Sequence, residues 1–155
     1  MLDAPPDIEF HPVQTHDPML ITCLEHPLAR RKRIGLKDIS KYSLILPPKN
    51  QSTYRFVEMV FNDHSLQYAV KLEVGGYDVI KQYVRMGLGI SIVMSHCLGD
   101  NDDLHAASVS RYFPRRAYGV VLRKGRTLSA PAGRFVEMLL AEQNASSQTA
   151  RRKGG

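Results

Sequence analysis

The sequence predicts an α/β fold with a mostly parallel sheet. Strand-like and helix-like patterns alternate along the chain. Between Tyr68 and Val93 a period-2 run, a 3.6-period run and a second apolar run follow one another closely enough to make a βαβ unit, and strands joined that way run parallel. Of 155 residues 43% are hydrophobic and 23% charged, which suits one globular domain or two small lobes able to bury a core.

Ile8–Val13 and Met19–Leu24 are short β-like runs, and "QTHDP" between them has turn chemistry at Asp17-Pro18. "GLKDISKY" offers one or two helical turns. Ser43–Leu46 reads as a buried strand that Pro47-Pro48 must stop, because proline cannot donate to a ladder. Phe56, Val57, Val60 and Phe61 then share a helical face, with Ser52 or Thr53 as N-cap and Asn62-Asp63 at the exit. Tyr68, Val70, Leu72 and Val74 alternate with polar or small residues as a strand. Val79, Ile80, Tyr83 and Val84 form the next helical stripe. Asp78 suits its first turn, Gly87 a left-handed C-terminal cap, and Gly89 a close approach to the sheet. "GISIVM" is a strand, and Leu104–Val109 and Ala117–Leu122 are two more candidates. Ser129 can cap a last helix with Pro131 in its first turn and Phe135, Val136, Leu139 and Leu140 as its buried stripe. The composition of residues 144–155 predicts disorder.

No apolar run approaches a membrane span and the N-terminus lacks a signal peptide's layout, so a cytoplasmic chain is expected, with no membrane partner. Cys23 and Cys97 are too few and too distant for a disulfide framework, and no Cys/His spacing fits a metal site; neither metal nor cofactor is expected. The adjacent His96 and Cys97 are read as buried or incidental. Net charge is +6, yet Arg30, Arg31, Lys32 and Arg33 supply four positives and Arg151, Arg152 and Lys153 three more, leaving the rest slightly acidic. Basicity held in one loop and one tail is a solvated surface rather than a nucleic-acid stripe. The motifs of serine hydrolases, zinc proteases and kinases are absent, and the six histidines are dispersed, so no enzyme is expected.

Neither GxGxxG nor GxxxxGK[ST] occurs, which argues against a nucleotide phosphate loop. Gly75-Gly76 and Gln51-Ser52-Thr53 nevertheless share a position, each following a strand and preceding a helix. Open α/β sheets place ligands at that edge, and helix starts present unpaired N–H groups to anions. Gln51, Ser52, Thr53, Gly75 and Gly76 are therefore candidate ligand contacts, two anion-friendly ends on one sheet edge without catalytic machinery.

"HDPMLITCLEHPLA", "VGGYDVIKQYVRMGLGISIV" and "YGVVLRKGRTLSAPAGRFVEMLL", in that order, resemble the effector-binding region of LysR-type transcriptional regulators over about Asp7 to Gln143. "DVIKQYVRMGLGISIV" is most similar to the branch containing the cysteine-regulon activators. The resemblance implies Rossmann-like lobes of the periplasmic-binding-protein type II kind, closing on a small effector. It implies residues 1–18 as a crossover from the first lobe, 19–114 as the second lobe, and 115–143 as return strand and C-terminal helix of the other, truncated lobe. Residues 144–155 are left as a tail. The helix-turn-helix and most of the first lobe are expected to be missing, so that DNA is reached only through a domain absent from this chain. Ser52 matches the family's hydroxyl ligand, His16 stands where that branch has an aromatic cleft residue, and Gly75-Gly76 replace its usual polar pair. The implied partner is a small anionic metabolite, a sulfur oxyanion or an acetylated serine, bound in an interlobe cleft of a homodimer or tetramer. The alternatives are a stand-alone small-solute-binding module and an α/β enzyme with an unrecognised site.

Overall fold

The computed structural model describes residues 6–152, with side-chain surroundings through residue 141. The chain divides into two compact units, one holding His16–Arg116, the other the described residues up to Thr15 together with those from Ala117 on.

The smaller unit contains α4 (Ala130–Arg152) and all of β1 (Ile8–His16) and β7 (Arg116–Arg123) but their end residues His16 and Arg116, which belong to the larger unit. β1 pairs with β7, Lys124 N–H donating to Asp7 C=O at 2.9 Å. β1 continues beyond the expected Val13 to His16, and Asp17 alone separates it from the next strand, so "QTHDP" is not a separate turn. Pro18 explains this, since it holds the residue before it in the extended region. In α4, Val136, Leu139 and Leu140 are half-buried but Phe135 is 61% exposed, which removes it from the expected buried stripe. The helix also runs through Arg152 into the segment expected to be disordered, because no glycine or proline interrupts residues 144–152; residues 153–155 lie outside the described residues.

The larger unit holds β2 (Pro18–Thr22), a 3₁₀ turn (Pro27–Arg30), α1 (Leu36–Ile39), β3 (Leu44–Leu46), α2 (Ser52–Asp63), β4 (Val70–Glu73), α3 (Tyr77–Arg85), β5 (Ser91–Met94), a second 3₁₀ turn (Ser95–Cys97) and β6 (His105–Ser108). β3 and β4 are parallel. Ile45 N–H donates to Ile90 C=O at 2.8 Å and Ile90 N–H to Ser43 C=O at 3.1 Å, a parallel bridge that joins β3 to the entry of β5. β2 then runs antiparallel to both β5 and β6. The order is thus β4-β3-β5-β2-β6, a mixed sheet whose parallel part is confined to β3, β4 and the start of β5. The expected βαβ unit is present, with β3 seated between its two strands.

The strand period of two sorts the core onto both sheet faces. Leu44 and Leu46 of β3, Leu20 of β2 and Ile92 of β5 pack with Leu36, Ile39, Val57, Val60, Phe61 and Phe113 in one cluster. Their neighbours Ile45, Ile21 and Val93 pack on the opposite side with Ile80 and Val84 of α3. Two-sided burial is why β3 and β5 read as continuous apolar runs rather than alternating ones. Only Ile80 and Val84 of the α3 stripe are fully buried, while Val79 is 44% exposed.

Two glycines act as expected. Gly87, at φ +72°, ends α3: its N–H donates to Val84 C=O at 2.9 Å and Leu88 N–H to Tyr83 C=O at 3.1 Å, the paired bonds of a Schellman cap. Gly89 has no room for a side chain, because a Cβ there would stand 2.7 Å from Ser43 O and 3.1 Å from Ile45 Cγ1.

Candidate functional site

The parallel strands β3 and β4 deliver their following helices to one edge. Val74 N–H donates to Leu46 C=O at 2.9 Å, holding the two strand exits side by side. The N-cap of α2 is Gln51, not Ser52 or Thr53, and no side chain of the cap bonds to the helix start. The backbone turns helical one residue earlier than expected, which frees both hydroxyls from capping. Ser52 and Gln51 are exposed on the first turn. Thr53 is 3% exposed, and its Oγ1 lies 2.9 Å from Tyr77 Oη in a hydrogen bond that either hydroxyl can donate. One contact therefore links the starts of α2 and α3.

Gly75 and Gly76 are exposed just before Tyr77, and a Cβ at either would meet nothing within 4 Å. Gly76, at φ +86°, holds a conformation that other residues adopt only under strain. The loop thus offers bare backbone to open space at the edge where Ser52 stands.

Arg116 completes the group and was missed in the sequence. Half-buried at the start of β7, it donates from Nη1 to Thr53 Oγ1 at 3.4 Å and sets its guanidinium 5.6 Å from the centre of the Phe56 ring. Tyr77 was missed as well, though it directly follows the singled-out glycines. Arg116 carries no periodic or motif signal and only the fold brings it to α2.

His16 is placed in a different set of contacts. Its Nδ1 is 3.4 Å from Ser95 Oγ, and its ring centroid is 4.3 Å from that of His96. Ser95 Oγ also accepts from Asp17 N–H at 3.2 Å, and Ser95 N–H donates to Asp17 C=O at 2.8 Å. Arg115 grips Asp17 with two bonds, Nε to Oδ1 at 2.6 Å and Nη2 to Oδ2 at 2.9 Å. That bidentate hydrogen bonding and the adjacent positive charge hold the Asp17 carboxyl below its ordinary pKa.

Partial desolvation first, and then the neighbouring His16, lower the pKa of the exposed His96 below its ordinary value. The folded chain therefore resists a proton that the unfolded chain accepts. Stability is full above about pH 6.5 and falls as the pH drops through the folded-state value. Replacing His96→Gln is expected to flatten slightly the decline that sets in below about pH 6.5, read as the urea midpoint against pH. An unchanged slope would remove His96 from the cause. Burial raises the Cys97 thiol above its ordinary pKa, so Cys97 is a poor nucleophile at neutral pH. On the flank of α3, Lys81 donates to both Asp102 carboxylate oxygens at 3.0 and 3.1 Å, and Arg85 donates to the Asp102 carbonyl at 2.9 and 3.1 Å. These bonds pin the polar loop after the second 3₁₀ turn.

Among the described residues no cluster of His, Cys, Asp or Glu is arranged to hold a metal, and no helix is long and apolar enough to cross a membrane.

The chain matches the LysR substrate binding domain over residues 2–144. It is 30% identical over 152 residues to the HTH-type transcriptional activator CmpR of Synechocystis sp. (strain PCC 6803), covering 94% of this chain and 50% of that protein. It is also 30% identical over 117 residues to the HTH-type transcriptional regulator CysB of Burkholderia cenocepacia, covering 74% and 37% respectively. The regulatory domain of Synechocystis PCC6803 CcmR, solved in complex with 2-PG, superimposes with a TM-score of 0.81 at 25% identity, covering 91% of this chain and 70% of that one. The chain thus spans about half the length of CmpR. With the family matched over nearly its whole length and the α/β architecture shared with solved relatives, this chain belongs to the LysR substrate-binding domain family.

Proposed function

We propose that this chain is the effector-sensing part of a LysR-type transcriptional regulator, and that it takes a small anionic metabolite at the carboxyl edge of β3 and β4. His16–Arg116 serves as the second effector-binding lobe, and β1, β7 and α4 as the crossover, return strand and helix of the first. The observation that carries the proposal is the uncapped start of α2. Ser52 stands exposed there beside backbone N–H groups that no cap side chain bonds, and the Thr53–Tyr77 bond fixes it against the open glycine loop. Ser52, Gln51 and the first N–H groups of α2 receive the anion, and Gly75-Gly76 approach it with backbone alone. Thr53 acts through Tyr77 rather than by capping, and His16 contributes from the Ser95–His96 side.

The ligand chemistry proposed is a sulfur oxyanion or an acetylated serine. Identity to CysB supports placing the chain near the cysteine-regulon branch. Similar identity to CmpR, and the likeness to CcmR solved with 2-PG, leave those regulators equally near. In the whole regulator, a homodimer or tetramer, the effector would act by binding one of two conformations more tightly, with DNA held by a separate helix-turn-helix domain. No reaction is assigned to the chain, since the relatives it matches are regulators.

Ser52→Ala removes one hydrogen bond to a charged ligand and is expected to weaken binding by about 1–3 kcal/mol. Calorimetric titration with sulfate, thiosulfate, O-acetylserine and N-acetylserine provides the check. Equal affinity of wild type and Ser52→Ala for whichever anion binds would remove Ser52 from the site.

A further inference from the structure

We infer that Arg116 is the charge-bearing contact for the effector's anionic group, and that Tyr77 presents the hydroxyl proton beside it. The inference rests on the proposed anion site at the start of α2.

Other arginines in this unit have their charge answered. Arg115 is paired with Asp17 and Arg31 with Asp38, and Arg85, which donates to the Asp102 carbonyl and to Gln82, is exposed to solvent as well. Exposed arginines such as Arg33 and Arg111 have solvent instead. Arg116 has neither remedy. It is half-buried, packed against the Phe56 ring, and among the described residues no carboxylate pairs with it. Among the described residues its guanidinium makes one hydrogen bond, to a neutral hydroxyl at the long distance of 3.4 Å. A guanidinium is a planar fork of donors suited to two oxygens of a carboxylate, sulfate or phosphate, and here most of those donors are unused.

The hydroxyls continue from it. A guanidinium can only donate, so Thr53 Oγ1 accepts from Arg116. Thr53 can then donate its own proton to Tyr77 Oη across the 2.9 Å contact, which leaves the Tyr77 O–H hydrogen for an outside acceptor. An oxyanion beside Tyr77 selects that direction, since every donor then has an acceptor. Residues from the return segment, α2 and α3 thereby act on one ligand group, and the ligand class is an oxyanion rather than a neutral polar molecule.

Titrating inorganic sulfate into the purified chain at constant ionic strength, with chloride as the balancing salt, tests this. Arg116→Gln is expected to weaken binding roughly ten- to hundredfold, as for loss of hydrogen bonds from a charged donor. Arg116→Lys should restore part of it, Tyr77→Phe should lose less than Arg116→Gln, and Lys32→Gln, which removes the same charge from the exposed loop, should bind as wild type. The Arg116 Nε–H resonance of the unaltered chain should shift on adding sulfate, which decides the matter even if Arg116→Gln does not fold. If Arg116→Gln binds as wild type and that resonance stays still while Ser52→Ala is weakened, the role of Arg116 is overturned and the α2 site stands. If the wild type binds neither sulfate nor thiosulfate nor an acetylated serine, the site itself falls and Arg116 with it.

Discussion

Phe61→Ala is expected to lower the unfolding free energy by about 3–5 kcal/mol, the largest loss of any single substitution considered. Phe61 is fully buried, with the Tyr68 ring at 4.9 Å and the Phe113 ring at 6.4 Å between centroids. It joins α2 to β3 and β5 through Leu44, Leu46 and Ile92 in the larger core cluster. Truncation removes apolar contact and leaves a void that rigid strands on one side cannot fill. Urea denaturation should show a lower midpoint at an unchanged slope. A loss under 1 kcal/mol would mean that the core on the α2 face is far looser than its packing indicates.

Gly89→Ala should cost about 1–3 kcal/mol, although it adds a single methyl group. The added carbon would meet the Ser43 carbonyl oxygen at 2.7 Å, and that oxygen accepts the Ile90 N–H that joins the parallel strands to the rest of the sheet. Backbone cannot step aside as a flexible side chain would, so the bridge between β3 and β5 must open. Gly133→Ala is the contrasting case. It lies in α4, a Cβ there would touch nothing within 4 Å, and the change should stabilise by roughly 0.5–1 kcal/mol through helix propensity. Midpoints that moved the same way for both would show that the close approach at Gly89 is not what restricts that position.

Much of the fold was legible because its signals are local. The α2 face at Val57, Val60 and Phe61, the Gly87 cap and the tight entry at Gly89 each follow from residues within a few positions, or from a backbone demand that only glycine meets. The antiparallel half of the sheet was not legible. β2 pairs with β5 and β6, some 70 to 90 residues onward, and a period-2 pattern says that a strand exists without naming its neighbour. Phe135 and Val79 were misjudged because a four-residue stripe covers more of a helix than the neighbouring layer does.

The site shows the same division. That helix starts would gather at one sheet edge could be read from strand-loop-helix order. The use of Thr53 could not, because its hydroxyl was assigned to a cap when its partner is Tyr77, 24 positions away. Arg116 lay beyond any sequence rule, being one cation in "PRRAYG" that differs from Arg115 only in what the fold places next to it.

The position of β2 between β5 and β6 bears on how the chain is made. This strand is made before both of its neighbours, Ser91–Met94 and His105–Ser108, which come some 70 to 90 residues later. At roughly 5–20 residues per second of synthesis, its apolar residues wait on the order of ten seconds before either flank exists. Such non-local pairing slows folding and exposes the nascent strand to stray association. A ribosome stalled before Ser108 would therefore display a half-built sheet and a ready substrate for chaperones.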